Sequence, residues 1–258
     1  MTDGPSLLLN IADSVATVTI ARPTKRNALD TAAWCALAET SAAIAANGDI
    51  RAVVLQGDGA HFSAGADIFE LREHISDSTW MAHNQATIAL ALDAFAALPQ
   101  PTIAVIRGAC YGGGAALAAA SDFRLCTPDA KFAITPSKLG LTYRLVDCLR
   151  VVELVGAARA REILLLAKEV DAATALTWGM VTECVEPALL PTALAAMLSR
   201  ITSLSSYSAR GIKQSLLKIG AGQTNDDAET RQLFTDAFSG TDFAEGAAAF
   251  IEKRIPKF

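Results

Sequence analysis

The sequence lacks the patterns by which proteins most often bind metal ions or build disulfide frameworks. Its five cysteines are scattered, no pair of them has C-x-x-C spacing, and the three histidines do not fall at metal-ligand spacing beside them. Such usage is typical of reduced, mostly buried thiols. We therefore predict no metal site.

Long apolar runs and an excess of basic residues are also missing. No apolar run is long enough to span a bilayer, and the start M-T-D-G-P-S-L-L-L-N lacks the basic flank and apolar stretch of a signal peptide. The formal net charge is -5, and no basic face of the kind that binds nucleic acid is visible. These shortages predict a cytoplasmic protein with no membrane partner and no nucleic-acid partner.

Short buried strands alternate with helices in the first half of the sequence. Apolar or β-branched runs predict strands at residues 15–20, 51–55, 102–106, 123–126 and 132–134, and helical periodicity predicts helices at 31–47, 79–98 and 113–120. Beyond Asp147 the chain is predicted to be mostly helical. This alternation indicates an α/β fold with helices around parallel strands. We predict a core over residues 1–195 and a helical C-terminal region over 196–258, both in one domain.

Two turns share an arrangement that favours chemistry. In each, a buried strand delivers small residues to a turn where a helix is predicted to begin, one at residues 62–67 and the other at 108–114. Small residues let a ligand approach the backbone, and N–H groups at a helix start are unpaired donors beside a positive dipole end. Two such donors aimed at one point stabilise an oxyanion or enolate. Alternatively, the glycines only permit tight turns or close helix packing.

Better-known glycine and serine motifs are absent from these turns. Gly112-Gly113-Gly114 matches neither G-x-G-x-x-G nor the lysine-bearing phosphate loop, so nucleotide binding is not supported. Ser63 is not set in G-x-S-x-G, so it is not a nucleophile elbow.

An ordered set of segments carries a family resemblance. The sequence contains F-S-A-G-A-D-I at residues 62–68, P-T-I-A-V-I-R-G-x-x-x-G-G-G at 101–114 and S-D-F-R-L at 121–125. Together with segments 22–29, 172–181 and 249–258, this set resembles the crotonase (enoyl-CoA hydratase/isomerase) superfamily. The resemblance implies a crotonase (ClpP-like) fold, in which repeated ββα units form a spiral core with a helical C-terminal trimerisation region. It also implies an acyl-CoA thioester as substrate, a homotrimer or homohexamer, and no cofactor, since coenzyme A is part of the substrate.

The same resemblance implies roles for individual residues. The N–H groups of Ala66 and Gly113 would bind the thioester carbonyl. Lys25 and Arg26 would lie near the coenzyme A phosphates. Lys253, contributed by a neighbouring subunit, would lie near the coenzyme A nucleotide. Each of these three could equally be a solvated surface charge. Further substrate-contacting residues implied by the resemblance are Ala28, Ala64, Asp67, Ile68, Thr135 and Pro136. We predict that Asp67 caps a helix rather than acting as an acid. We predict a structural hydrogen-bonding role for Asp122.

Two positions depart from the hydratase pattern. Hydratases of this family use two glutamates, one to activate water and one to handle the α-carbon proton. Ala116 and Pro136 stand at those two places in this sequence. Because neither side chain can move a proton, hydration is disfavoured, and double-bond isomerisation nearly as much.

The segment around Pro136 resembles a narrower group. The run T-P-S-K-L-G-L-T-Y at residues 135–143 is similar to a stretch of methylmalonyl-CoA decarboxylases. Loss of CO2 from a malonyl-type thioester needs no base, because the departing group leaves its electrons as an enolate. Tyr143 and Thr135 would hold the carboxylate by hydrogen bonding, and either Tyr143 or a water would supply the proton. Alternatively, Tyr143 is a buried tyrosine whose hydroxyl caps a carbonyl, and Arg144 holds the carboxylate or faces solvent.

Our leading hypothesis is an enzyme that decarboxylates malonyl- or methylmalonyl-type thioesters of coenzyme A. The first alternative is an enoyl-CoA hydratase/isomerase, or another acyl-CoA lyase or hydrolase, with a non-standard acid or base. Glu70, Glu73 and His83 are its candidates. The second alternative is a non-catalytic paralogue that binds acyl-CoA.

Overall fold

The computed structural model describes residues 4–258, and within them the chain forms nine strands and ten α-helices. The strands are β1 (Leu7–Ala12), β2 (Val15–Ile20), β3 (Ala52–Gly57), β4 (Thr102–Ile106), β5 (Ala109–Tyr111), β6 (Phe123–Cys126), β7 (Lys131–Ala133), β8 (Val170–Asp171) and β9 (Glu183–Cys184). The helices are α1 (Thr31–Ala46), α2 (Ile68–Glu73), α3 (Ser78–Ala96), α4 (Gly113–Ala120), α5 (Leu145–Leu165), α6 (Ala172–Thr177), α7 (Leu190–Thr202), α8 (Ser206–Gly220), α9 (Ala228–Ser239) and α10 (Thr241–Glu252).

Two sheets organise the chain up to Cys184. The larger has the strand order β1-β2-β3-β4-β6-β9, with β1 antiparallel to β2 and every other pair parallel. The smaller has the order β5-β7-β8, with β5 parallel to β7. Parallel neighbours need crossover connections, and helices α1, α3 and α4 supply them. The α/β prediction is confirmed.

The core forms where these helices cover the sheets. Every residue of β4 is buried, as its continuous apolar run predicts for a strand covered on both faces. Helix α1 buries Trp34 and Leu37, and α3 buries Leu92 and Phe95 in the same cluster. This packing fixes the strand ends from which the two glycine-bearing turns leave.

Helices α7 to α10 form the helical C-terminal region. Lys213 ties α8 to the sheet, because its Nζ donates to the Gln100 carbonyl at 2.8 Å and lies 2.7 Å from the Asp122 carboxylate. Asp122 also accepts from the Thr102 amide at 2.7 Å, so its predicted structural role is confirmed. The division predicted between residues 195 and 196 falls inside α7 and stays a prediction.

The structure differs from the sequence prediction at two places near the turns. Residues 109–111 form β5 rather than a continuous turn, because their backbone pairs with β7. Helix α5 begins at Leu145, before Asp147, beyond which the chain was predicted to be mostly helical, and is broken at Gly156, whose φ is 77°. As for membranes, no single helix between residues 4 and 258 is long and apolar enough to cross one.

Candidate active site

The two glycine-bearing turns lie side by side. An isolated parallel bridge joins Ser63, in the turn after β3, to Cys110 in β5. The Ser63 amide donates to the Ala109 carbonyl and the Tyr111 amide to the Ser63 carbonyl, both at 2.9 Å. Turns separated by more than forty residues in sequence are therefore held together by backbone hydrogen bonds.

The backbone on either side of Ala66 pairs with Leu29, and the Ala66 N–H is left without a partner in the described part of the chain. Its neighbours pair with Leu29, since the Leu29 amide donates to the Gly65 carbonyl at 2.7 Å and the Asp67 amide donates to the Leu29 carbonyl at 2.9 Å. The central residue of such a parallel bridge directs its own N–H away from the partner. Among the described residues the Ala66 amide finds no acceptor.

Gly113 presents the second free donor. It is the first residue of α4, and its amide also has no acceptor within residues 4–258, as expected for the first turn of a helix. Preceding it, Gly112 has a φ of 49°, a conformation that favours glycine. A Cβ added to Gly113 would lie 2.8 Å from Cζ2 of Trp34 and 3.8 Å from the Ala66 nitrogen. The two free N–H groups are therefore neighbours, beside a position where a side chain does not fit.

Asp67 connects the Ala66 turn to the segment that begins at Arg22. Its carboxylate caps α2 by accepting from the Phe69 amide at 3.2 Å, which confirms the predicted cap. The same carboxylate lies 3.0 Å from both Arg22 and Lys25. Burial acts to raise its pKa, but the hydrogen bonds and charges of Lys25 and Arg22 hold the pKa of Asp67 below its ordinary value.

The other residues implied to contact coenzyme A fall in two groups. The backbone carbonyl of Arg26 accepts from the Ala64 amide at 2.9 Å, so the chain at Arg26 lies against the turn that carries Ala64. The Arg26 residue is exposed. Ala28 is buried one residue before Leu29, and Ile68 is half exposed at the start of α2. Lys253 directly follows α10, and no hydrogen bond or ion pair within residues 4–258 joins its side chain to the turns. The coenzyme A roles of these residues stay predictions.

Tyr143 reaches the turn that carries Gly113. Its hydroxyl donates to the Gly112 carbonyl at 3.2 Å. Burial raises the pKa of Tyr143 well above its ordinary value, and the charge of Asp147 adds to the shift, so the hydroxyl keeps its proton. This contact matches the alternative of a buried tyrosine that caps a carbonyl. The proton-donor role stays a prediction.

The two positions without glutamate lie close to the same turn in the fold. Ala116 is buried in α4, and its amide donates to the Gly112 carbonyl at 3.0 Å. Pro136 opens a short 3₁₀ helix (Pro136–Leu139) after Thr135, just beyond β7. The Ala133 carbonyl in β7 accepts from the Gly112 amide at 2.9 Å. Neither position supplies an acid or a base.

An ion-pair cluster occupies the start of α5. Arg144 makes a two-pronged contact with Asp93, with both oxygens at 2.8 Å, so its guanidinium is already engaged. Asp147 is buried and lies 2.7 Å from Arg150. Burial raises the pKa of Asp147 even though Arg144 and Arg150 act to lower it. Asp147 was not predicted from the sequence, because no motif signals that an acid in this segment folds inward.

The three candidate replacement acids or bases differ in environment. Glu70 is half-buried, and its Oε2 accepts from the Thr31 amide at 2.9 Å, two residues beyond Leu29. Glu73 and His83 are exposed. Of these candidates, Glu70 is the one held near the backbone that pairs with Ala66.

Two adjacent free backbone N–H groups at helix-bearing turns are the donor arrangement that an oxyanion hole needs, and here an α/β fold carries them. The enoyl-CoA hydratase/isomerase family model matches residues 10–258. The chain belongs to this family, and the expected crotonase fold is confirmed.

Curated relatives match along almost their whole length. The chain is 31% identical over 254 residues to the enoyl-CoA hydratase echA8 of Mycobacterium tuberculosis, covering 98% of this chain and 97% of that protein. It is 30% identical over 273 residues to the mitochondrial Delta(3,5)-Delta(2,4)-dienoyl-CoA isomerase of Dictyostelium discoideum, covering 100% of this chain and 92% of that protein.

Solved structures agree with the same fold. An enoyl-CoA hydratase/isomerase family protein from Hyphomonas neptunium superposes with a TM-score of 0.93 at 35% identity, covering 98% of this chain and 97% of that one. An enoyl-CoA hydratase/carnitine racemase from Magnetospirillum magneticum superposes with a TM-score of 0.92 at 32% identity, covering 98% and 95%.

Proposed function

We propose that this protein binds an acyl-CoA thioester with the carbonyl oxygen between the N–H groups of Ala66 and Gly113, and that it catalyses a reaction through the thioester enolate. One observation carries the proposal: two backbone donors from separate turns lie next to each other and have no acceptor among the described residues. In many enzymes, hydrogen-bond donors preorganised toward developing negative charge make the largest single contribution to transition-state stabilisation.

The names of the relatives favour hydration or isomerisation of an enoyl-CoA as the reaction. Hydration adds the water oxygen to C3 and a proton to C2, and isomerisation moves a proton between two carbons, so both need an acid or base. Since Ala116 and Pro136 supply none, we assign that task to Glu70. Its carboxylate is half-buried, and within residues 4–258 its Oε2 accepts from the Thr31 amide while its other oxygen has no hydrogen-bond partner.

Decarboxylation is the second candidate, and the side chains at residues 116 and 136 favour it. Cleavage of the bond between the carboxylate and the α-carbon leaves the electron pair in the enolate, which then takes a proton from solvent or a donor. Stabilising that enolate is the main catalytic task. Thr135 and Tyr143 lie in the segment that resembles decarboxylases, and Tyr143 contacts the Gly113 turn.

The setting of the reaction is also proposed. The substrate brings its own coenzyme A, with Lys25 and Arg26 at its phosphates and Lys253 of a neighbouring subunit at its nucleotide, and no separate cofactor takes part. Such an arrangement requires more than one subunit, and we propose a homotrimer or homohexamer with a cytoplasmic location. A mass measurement in solution that finds only monomer would contradict the assembly.

Parallel assays of the purified protein with crotonyl-CoA, a 3-enoyl-CoA and methylmalonyl-CoA separate the candidates. Hydration or double-bond movement supports the first candidate, and CO2 release supports the second. Tight binding of all three without turnover supports a non-catalytic acyl-CoA-binding protein. Absence of acyl-CoA binding contradicts the whole proposal.

A further inference from the structure

The Gly112 carbonyl and the Gly113 amide are the two ends of one peptide unit. The carbonyl accepts two hydrogen bonds, one from the Ala116 amide at 3.0 Å and one from the Tyr143 hydroxyl at 3.2 Å. The Gly113 N–H at the other end is one of the two free donors. A helix supplies the first bond in any case, whereas the second comes from a side chain thirty-one residues away in sequence.

Peptide geometry transmits the effect of this second bond. The peptide unit is planar, so a bond that fixes the carbonyl direction also fixes the direction of the N–H. Hydrogen bonds in a chain polarise one another, and a donor at the carbonyl oxygen makes the N–H at the far end a stronger donor. A hydroxyl at Gly112 therefore affects both the aim and the strength of the Gly113 donor.

Tyr143 is itself firmly held. Its ring packs against the main hydrophobic cluster. The next residue, Arg144, is fixed to α3 by its two-pronged contact with Asp93 at 2.8 Å and by a bond to the Ala89 carbonyl at 3.3 Å. The phenol is thus anchored through α3 and the core rather than through the turn that it contacts.

We propose that Tyr143 is a positioning residue of the oxyanion hole, which orients and polarises the Gly112–Gly113 peptide without touching the substrate. The inference rests on the proposed binding of a thioester carbonyl at Gly113. It applies equally to hydration, isomerisation and decarboxylation, since all three pass charge to the same oxygen. It also gives the hydroxyl proton a task other than transfer to the product.

The test compares Tyr143→Phe with the matched control Tyr207→Phe. The Tyr207 hydroxyl also donates to a backbone carbonyl, that of Leu233 at 2.9 Å, but in the C-terminal helices. The acyl chain of butyryl-CoA has neither a carbon–carbon double bond nor a carboxylate, so the protein cannot turn it over by any of the three reactions. Infrared spectra of its bound, carbon-13-labelled carbonyl therefore report how strongly that carbonyl is polarised. We expect Tyr143→Phe to reduce the downward shift of the carbonyl frequency and to lower kcat about tenfold, with the butyryl-CoA Kd within about threefold of wild type. Tyr207→Phe should match wild type in all three.

A wild-type carbonyl shift in Tyr143→Phe would overturn the inference. If wild type itself binds butyryl-CoA without shifting the carbonyl, the proposed function fails, and the Gly113 amide nitrogen resonance of the ligand-free protein decides the hydrogen-bond role separately. A resonance that moves in Tyr143→Phe but not in Tyr207→Phe supports polarisation of the peptide, and an unmoved resonance contradicts it.

Folding of the variant is not expected to be limiting, because the Gly112 carbonyl keeps its bond from Ala116. A second replacement avoids the question. Substituting 3,5-difluorotyrosine at residue 143 keeps the ring and makes the hydroxyl a stronger donor. This substitution should increase the carbonyl shift, and a decrease or no change would contradict the inference.

Discussion

The guanidinium of Arg22 lies 3.0 Å from the carboxylate of Asp67, although 45 residues separate them in sequence. Both side chains are buried, and Arg22 also lies 2.9 Å from Asp30, at the start of α1. The pair thereby ties the residue after Ala66 to the segment that precedes Leu29. The position of Ala66, one of the two proposed oxyanion donors, is thus linked to a buried ion pair at the next residue.

Removing this ion pair should destabilise the protein. Asp67→Ala removes the cap of α2 and leaves Arg22 and Lys25 without a shared partner, so we expect a loss of about 2 kcal/mol in the free energy of unfolding. Asp171→Ala is a matched control, because Asp171 caps α6 through the Thr174 amide at 2.8 Å but forms no ion pair with any described residue. Urea denaturation measures both variants. Equal losses would show that the ion pair contributes nothing beyond the cap.

The Asp67 carboxylate should make the free energy of unfolding depend on pH in the acid range. A carboxyl whose pKa is lowered on folding contributes stability above its unfolded pKa, here 3.8, and loses it as the pH falls through the lower folded pKa. The stability gap between wild type and Asp67→Asn should therefore be constant from pH 7 to about 5 and shrink below about 4. Denaturation across this range measures the gap, and a constant gap down to pH 3 would contradict the expectation.

Gly113 should tolerate no side chain. In Gly113→Ala the new Cβ meets Cζ2 of Trp34 at 2.8 Å, so the start of α4 must move and the N–H loses its aim. We expect kcat/KM to fall at least about a hundredfold, as for loss of an oxyanion donor. The double variant Trp34→Phe/Gly113→Ala frees the space and should recover part of the activity. No recovery would mean that Trp34 is not the obstacle.

Glu70 should be required if the reaction is hydration or isomerisation. Glu70→Gln keeps an oxygen to accept from the Thr31 amide but cannot exchange a proton, so we expect kcat to fall about a hundredfold or more. Glu73→Gln is the control, because Glu73 is exposed on the same helix. Full hydration or isomerisation activity in Glu70→Gln would remove Glu70 from the mechanism and leave Glu73 and His83 as the candidate acids or bases.

Local patterns in the sequence predicted most of the framework. Helix α4 begins and ends where the glycine-led apolar run predicted, at Gly113 and Ala120. Strand β5 was not predicted, because its three residues show no periodicity and are defined only by pairing with β7. The early start of α5 was missed for a related reason, since the long-range contact between Arg144 and Asp93 holds that segment.

The two backbone N–H donors of the candidate site were predictable from the sequence, but the contacts that hold them in place were not. Ala66 and Gly113 follow from a motif, because small residues and helix starts are visible in sequence. The bridge from Leu29, the ring of Trp34 and the hydroxyl of Tyr143 reach these donors from distant segments. Such contacts depend on the packed fold, so no local pattern in a single sequence reveals them.

A crystal structure with bound butyryl-CoA tests most directly whether Ala66 and Gly113 together bind a thioester oxygen. We expect the carbonyl oxygen within about 2.7–3.2 Å of both amide nitrogens. A thioester carbonyl bound elsewhere, or contacting only one of the two, would contradict it.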